Sequence, residues 1–290
     1  MLDYLISGIS LGSVYAIIAL GYTMVYGIAK MLNFAHGDVI MIGGYVSFCS
    51  MSYLGWGPLP AILFSILVCT LLGITIERMA YKPLRSATSL AVLITAIGVS
   101  YLLQNLALII WSSSPKVYPD LFGGVEPIMI GETRLSFATI VTILANIIIM
   151  VGLTLFTNHT KIGKAMRAVS EDKGAATLMG INVNKTISVT FAIGSGLAAI
   201  AGVLLLASYP TLQPTTGSMP GIKAFTAAVF GGIGSIPGAM LGGILLGVIE
   251  IFAKAYISTQ LSDAIVFGVL IIVLIVKPTG LLGKKVSEKV

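Results

Sequence analysis

Apolar runs recur along the whole chain, at about 9–28, 39–54, 60–77, 88–111, 136–156, 186–207, 222–256 and 262–276. A helix of about 20 apolar residues crosses the hydrocarbon core of a bilayer. The pattern therefore predicts an all-α, polytopic helical membrane protein with about eight transmembrane helices, read as one transmembrane domain over 1–290. Two runs are interrupted. Between the first and second lies Lys30-Met31-Leu32-Asn33-Phe34-Ala35-His36-Gly37-Asp38, too short for a long loop and rich in polar groups. Within 222–256 lies Gly231-Gly232-Ile233-Gly234-Ser235-Ile236-Pro237-Gly238. Each Gly costs a helix about 1 kcal/mol and Pro about 3 relative to Ala, so both stretches predict broken or re-entrant segments, near 30–38 and 222–238.

Positive side chains orient the spans. Arg78, Lys82 and Arg85 form one cluster, Lys161, Lys164, Arg167, Lys173 and Lys185 a second, and Lys277, Lys284, Lys285 and Lys289 a third; these twelve of seventeen are placed in the cytoplasm. The loop 112–135, with Asp120, Glu126 and Glu132 against Lys116 and Arg134, reads as external. Parity then requires 222–256 to go in and come back out. At 57% hydrophobic, 10% charged and a mean hydropathy of +1.01, the chain has no room for a soluble catalytic domain. The net charge of +6 is topogenic and does not point to nucleic acid. Cys49 and Cys69 sit in apolar runs, so neither a disulfide nor a metal site is expected. The first apolar run lacks a basic leader and a small-residue cleavage site and reads as a retained span.

Irregular backbone at membrane depth survives only where protein or an aqueous cavity satisfies it. Paired Gly- or Pro-interrupted segments are a sequence pointer to a transporter's pathway. Gly37-Asp38-Val39-Ile40-Met41-Ile42-Gly43-Gly44 and Pro237-Gly238-Ala239-Met240-Leu241-Gly242-Gly243 resemble each other as lead-outs of the two breaks. The residues expected on the pathway are Asn33, Ala35, His36 and Asp38 with Gly232, Gly234, Ser235 and Pro237. Gly238-x-x-x-Gly242 and Gly243-x-x-x-Gly247 are seams for close helix contact. The embedded charges visible in sequence are Asp38 and Glu250 near span ends, with no Lys or Arg clearly at mid-depth.

Residues 161–185 carry five Lys or Arg and two acids between two apolar spans. A helix over Gly163–Met179 has a thin, Ala-rich stripe that would anchor poorly in anionic lipid, which favours docking on a protein. Gly180 to Thr186 imitates a phosphate loop, but Asn184 stands where a Gly is required and a helix precedes it. ATP is therefore expected on other subunits, with no cofactor and no catalytic residue in this chain. A passive channel built on Asn33-Phe34-Ala35 lacks a matching second Asn box and a filter Arg.

NFAHGDVIMIGGYVS, IERMAYKPLR, GKAMRAVSEDKGAATLMGI and AFTAAVFGGIGSIPGAMLGG, in this order over essentially the whole chain, resemble the LivH-type permeases of bacterial branched-chain amino acid ABC importers. The resemblance implies an inner-membrane permease subunit forming half of a pathway with a homologous LivM-type partner. It further implies two cytoplasmic ABC ATPases and a periplasmic binding protein that delivers leucine, isoleucine or valine. The segment 161–181 corresponds to the coupling helix, with Lys164, Arg167, Glu171, Asp172, Gly180 and Ile181 as coupling residues. Urea and short-chain amide permeases share these motifs, so they form the alternative substrate class.

Overall fold

The computed structural model describes residues 1–85, 87–123, 125–130 and 133–283. Glu132 of the external loop and the tail lysines Lys284, Lys285 and Lys289 lie outside the described residues. Helix starts follow short polar side chains. Thr88, Ser136, Thr160, Asn182 and Ser235 each accept a hydrogen bond from an amide two or three residues on, satisfying a donor the helix cannot.

In chain order the helices are α1 (Leu2–Ala29), α2 (His36–Ser52), α3 (Pro58–Ile76), α4 (Ser89–Trp111), α5 (Phe137–His159), α6 (Lys161–Glu171), α7 (Lys173–Leu178), α8 (Val183–Ser208), α9 (Ser218–Gly231), α10 (Ile236–Tyr256) and α11 (Ser262–Val276). α3 continues through a π-helical turn, Glu77–Tyr81, and a short 3₁₀ turn, Lys82–Leu84. Two small antiparallel ribbons cover one end: β1 (Lys116–Val117) pairs with β4 (Thr211–Leu212), and β2 (Ile128–Ile130) with β3 (Thr133–Leu135). Among the described residues, six helices are long and apolar enough to cross a membrane: α1, α3 with its extension, α4, α5, α8 and α10. α2, α9 and α11, at 17, 14 and 15 residues, are shorter. The chain is an all-α, multi-pass membrane protein.

α1 and α8 form the interior, and α3, α4 and α5 stand largely exposed around them. α1 and α10 run antiparallel, Tyr4 meeting Tyr256 at one end and Gly27 meeting Gly234 at the other. Between these ends a glycine seam brings the backbones together. A Cβ built on Gly8 would lie 2.8 Å from Val248 Cα, one on Gly12 2.6 Å from Ile244 Cα, and one on Gly247 would fall on the backbone of Gly12. Of the two small-residue seams expected, Gly243 and Gly247 meet α1, while Gly238 and Gly242 meet α9.

Depth follows from α4. Trp111, its last residue, stacks on Tyr45, and seven residues earlier Gln104 Nε2 donates to Asp38 Oδ1 at 2.9 Å. Asp38 therefore lies about 10 Å inward of that end of α4, at 1.5 Å per residue. α2 starts inside the membrane, and residues 30–35 climb to it from the end of α1. The break expected over 30–38 is thus shorter: His36, Gly37 and Asp38 are the first turn of α2. The segment expected at 222–238 is realised as α9, a four-residue turn and α10, and the irregular stretch that descends into the membrane is the one before α9, 213–217. The short helices paired by this architecture are α2 and α9, not α2 and the start of α10 as the lead-out resemblance suggests. α1–loop–α2 and α8–loop–α9 run in opposite senses.

Replacing Gly247 with Leu should abolish assembly of the membrane-inserted protein, because overpacking costs about 1–3 kcal/mol even where side chains can yield and here the neighbour is backbone. Gly152→Ala, on α5 with nothing within 4 Å of the added carbon, should leave thermal stability in detergent within about 0.5 kcal/mol. Equal behaviour of the two variants on size-exclusion chromatography would refute the seam.

Candidate translocation and coupling sites

The first turns of α2 and α9 touch backbone to backbone. A Cβ on Gly37 would lie 2.6 Å from the Gly217 carbonyl oxygen, and one on Gly221 2.8 Å from Gly37 Cα. Two helix N-termini, each with a partial positive charge, thus converge inside the membrane. Asp38, in the first turn of α2 and buried, places a carboxylate there. Gln104 fixes it, and the same Nε2 lies 3.3 Å from Ser218 Oγ on α9. His36 is buried against Tyr22, ring centroids 4.7 Å apart, and its Nε2 has no protein partner among the described residues. It borders a narrow cavity lined also by Tyr26, Asn33 and Phe225. Asn33 accepts from Tyr81 Oη at 2.9 Å, tying the 30–35 segment to the π-helical turn after α3. Asn33, Ala35, His36 and Asp38 are therefore brought together and packed inside this chain.

The second expected set lies elsewhere. The turn 232–235 sits at the end of α1 where Gly27 lies, and the tail after α11 closes over it. Leu281 N–H donates to the Phe230 carbonyl and Leu282 N–H to that of Gly231, each at 2.9 Å. Gly232, at φ 104°, makes a turn that a side chain would strain and is buried there; Ser235 is half-buried, and Gly234 and Pro237 are exposed. The structure does not bring this set to the α2–α9 junction.

The polar segment after α5 forms an arm. A single helix was expected, but Asp172 leaves the helical conformation and its side chain caps a second one, accepting from Ala175 N–H at 2.9 Å. The stripe of Met166 and Val169 is buried against α5, α1 and α8, so it anchors the arm to protein and not to lipid. Lys164, Arg167, Glu171, Asp172 and Gly180 are exposed, and Ile181 is half-buried. Arg167 also reaches back to the end of α5, donating to the Asn158 carbonyl at 3.3 Å. Leu178 and Met179 at the tip are 90% and 81% exposed. At the base, Lys173 Nζ donates to the Ala29 carbonyl at 2.9 Å, the last residue of α1 before the 30–35 climb. Partial burial, then the Arg85 and Lys30 cations, hold the Lys173 amine below the usual lysine range.

Two ionic clusters were missed from sequence. Contrary to the expected absence of an embedded cation, Lys223 on α9 is 6% exposed and pairs with Glu250 of α10 at 2.8 Å and Asp263 of α11 at 2.6 Å. Glu250, 1% exposed, also accepts from Tyr15 Oη of α1 at 2.9 Å and from Lys254 at 2.6 Å. An isolated Lys inside SMPGIKAFTAAVF was the available signal. At the end of the bundle where α8 begins, fully buried Glu77 accepts from Ser188 Oγ at 2.6 Å and pairs with Arg85, which also donates to Asn184. Part of the first positive-inside cluster is thus structural. Among the described residues no group of three or more metal-ligating side chains occurs.

Glu250→Gln should lower stability more than Lys223→Met. The first strands Lys223 with one partner, whereas the second leaves Glu250 with Lys254 and Tyr15. Breaking a buried pair costs about 3–5 kcal/mol, and the ranking is read from thermal unfolding in detergent. The reverse order would mean Lys223, not Glu250, organises the cluster.

The description "Branched-chain amino acid transport system / permease component" belongs to the family model that matches residues 4–274. The permease BraD of Pseudomonas aeruginosa, described as part of a high-affinity branched-chain amino acid transport system, is 46% identical over 302 residues, covering 100% of this chain and 98% of the relative. LivH of Escherichia coli K12, described in the same way, is 46% identical and covered over 97% of its length. A probable LivH of Methanocaldococcus jannaschii is 28% identical over 92% of this chain and 88% of its own. With the family model spanning nearly all of its length and full-length relatives at this identity, the chain belongs to the branched-chain amino acid transport permease family, of the LivH type.

Proposed function

We propose that the chain is the permease subunit of an ATP-driven importer for leucine, isoleucine and valine in the bacterial inner membrane. It forms half of the translocation pathway beside a second, homologous permease of the LivM type. Cytoplasmic ABC ATPases bind ATP and dock on the 161–181 arm, and a periplasmic protein delivers substrate. The names of the full-length relatives support the substrate and the importer class. The observation that carries the coupling role is the arm itself: an apolar tip, Leu178 and Met179, that no described residue covers, on a segment whose base grips the end of α1. Exposed large apolar side chains of this kind mark contact surfaces.

The pathway side of the reading rests on the α2–α9 junction. Lys223 is neutralised by Glu250 and Asp263, and Asp38 is held by Gln104. Among the described residues each embedded charge already has a partner, so discrimination belongs upstream, in the binding protein, and the pathway is a permissive conduit.

Two outcomes follow. In the reconstituted transporter, Leu178→Asp with Met179→Asp should cut leucine-dependent ATP hydrolysis and uptake about tenfold or more, as loss of an interface anchor does, without changing the amount of inserted permease. Unchanged uptake would refute the docking role. Calorimetric titration of the purified permease with leucine, in the absence of the binding protein, should show no saturable heat in the micromolar range. A stoichiometric isotherm there would place a binding site in this chain.

A further inference from the structure

The exposed faces of the outer helices differ in kind. On α5 the exposed large side chains are Leu144, Ile147, Ile148, Val151 and Leu155, and on α11 Ile271, Ile272 and Ile275, all aliphatic. α3 presents Leu63, Phe64, Leu67 and Leu71. Hydrocarbon suits these faces. α4 is different. Tyr101, 62% exposed, and Asn105 lie one turn apart near the middle of the helix, with Gln104 and Ser100 half-buried beside them. The Asn105 amide donates one hydrogen bond, to the Tyr101 carbonyl at 2.7 Å, and the rest of the group is exposed. An amide moved into hydrocarbon without partners loses about 2–7 kcal/mol, so this face meets water or protein.

α4 is also the outer helix with the least support, packed mainly on α2 and on the π-helical turn after α3. Its polar stripe leads inward. Gln104 links it to Asp38 on α2 and Ser218 on α9, the two helix starts that converge within the membrane. Next to Ser218, Thr215 and Met219 are exposed, which extends the stripe across the irregular stretch before α9.

We propose that the stripe Tyr101–Asn105 of α4, continued by Ser218, is the water-facing wall of the translocation pathway. Tyr101 and Asn105 contact the passing substrate, and Gln104 is a positioning residue that keeps the Asp38 carboxylate turned inward, away from the substrate's carboxylate. Neutral amide and hydroxyl groups suit a small amino acid: they replace part of the hydration of both its ends without holding either. The inference rests on the importer reading and adds to it the face along which the substrate moves.

The test uses the complete transporter in proteoliposomes, with single Cys residues at Asn105, Tyr101 or Ile148, treated with a membrane-impermeant methanethiosulfonate cation. Only a thiol that reaches water ionises and reacts. Asn105→Cys and Tyr101→Cys should be modified about tenfold or more faster than Ile148→Cys in at least one nucleotide state, and modification should block leucine uptake. Leucine in excess should slow that modification, which a wet but bystander surface would not show. If both α4 cysteines stay as inert as Ile148→Cys with and without ATP, or cross-link to the second permease while remaining unmodified, the wall lies elsewhere and α4 is a dry interface. Uptake by the parent protein, with Tyr101 and Asn105 in place, separates the two readings. ATP-driven uptake with inert α4 cysteines refutes only the pathway assignment, whereas no ATP-driven uptake refutes the importer reading itself.

Discussion

Hydrocarbon offers no partner to a free amide, and this chain leaves helical conformation twice inside the membrane, at 30–35 and at 213–217. Most of its architecture answers to that constraint. α1 and α8, the two most buried long helices, form the interior, with α9 packed on α1 and α2 on α8. Gly37, Gly217 and Gly221 let the starts of α2 and α9 meet without side chains between them. Asp38 offsets the two helix ends, and Gln104 holds it from outside. A side chain at Gly37 would part the helices and expose the amides that the contact conceals.

How much of this was legible depended on what kind of signal each part left. The apolar runs located most helices to within a few residues, because a span must be apolar along its whole length; α1 starts seven residues before its run, and the run 222–256 divides into α9 and α10. The two breaks were visible through Asn33, His36 and Asp38 and through Gly231 to Gly238. Their depth was not, since a Gly-rich turn reads the same at an interface as at mid-membrane. The irregular stretch before α9 escaped notice because Pro210 and Pro214 look like an ordinary external loop. Asp172 as a helix cap was hidden inside a run of charges that reads as one amphipathic helix.

The ionic clusters show a different limit. Lys223 and Glu250 are 27 residues apart, and Asp263 lies on another helix. Nothing local announces that they meet. Arg85 was counted as a topological charge, yet it also compensates a fully buried Glu77. A positive charge at the cytoplasmic end serves insertion and the finished fold at once, and composition alone cannot divide the two duties.

The tie between Lys173 and the last carbonyl of α1 has a mechanical consequence. α1 is a single unbroken rod of 28 residues, about 42 Å long, and the glycine seam clamps it to α10 over much of that length. A displacement of the arm therefore reaches α1 and α10 together, as a change of tilt of the pair at its opposite end rather than a bend in one helix near the arm.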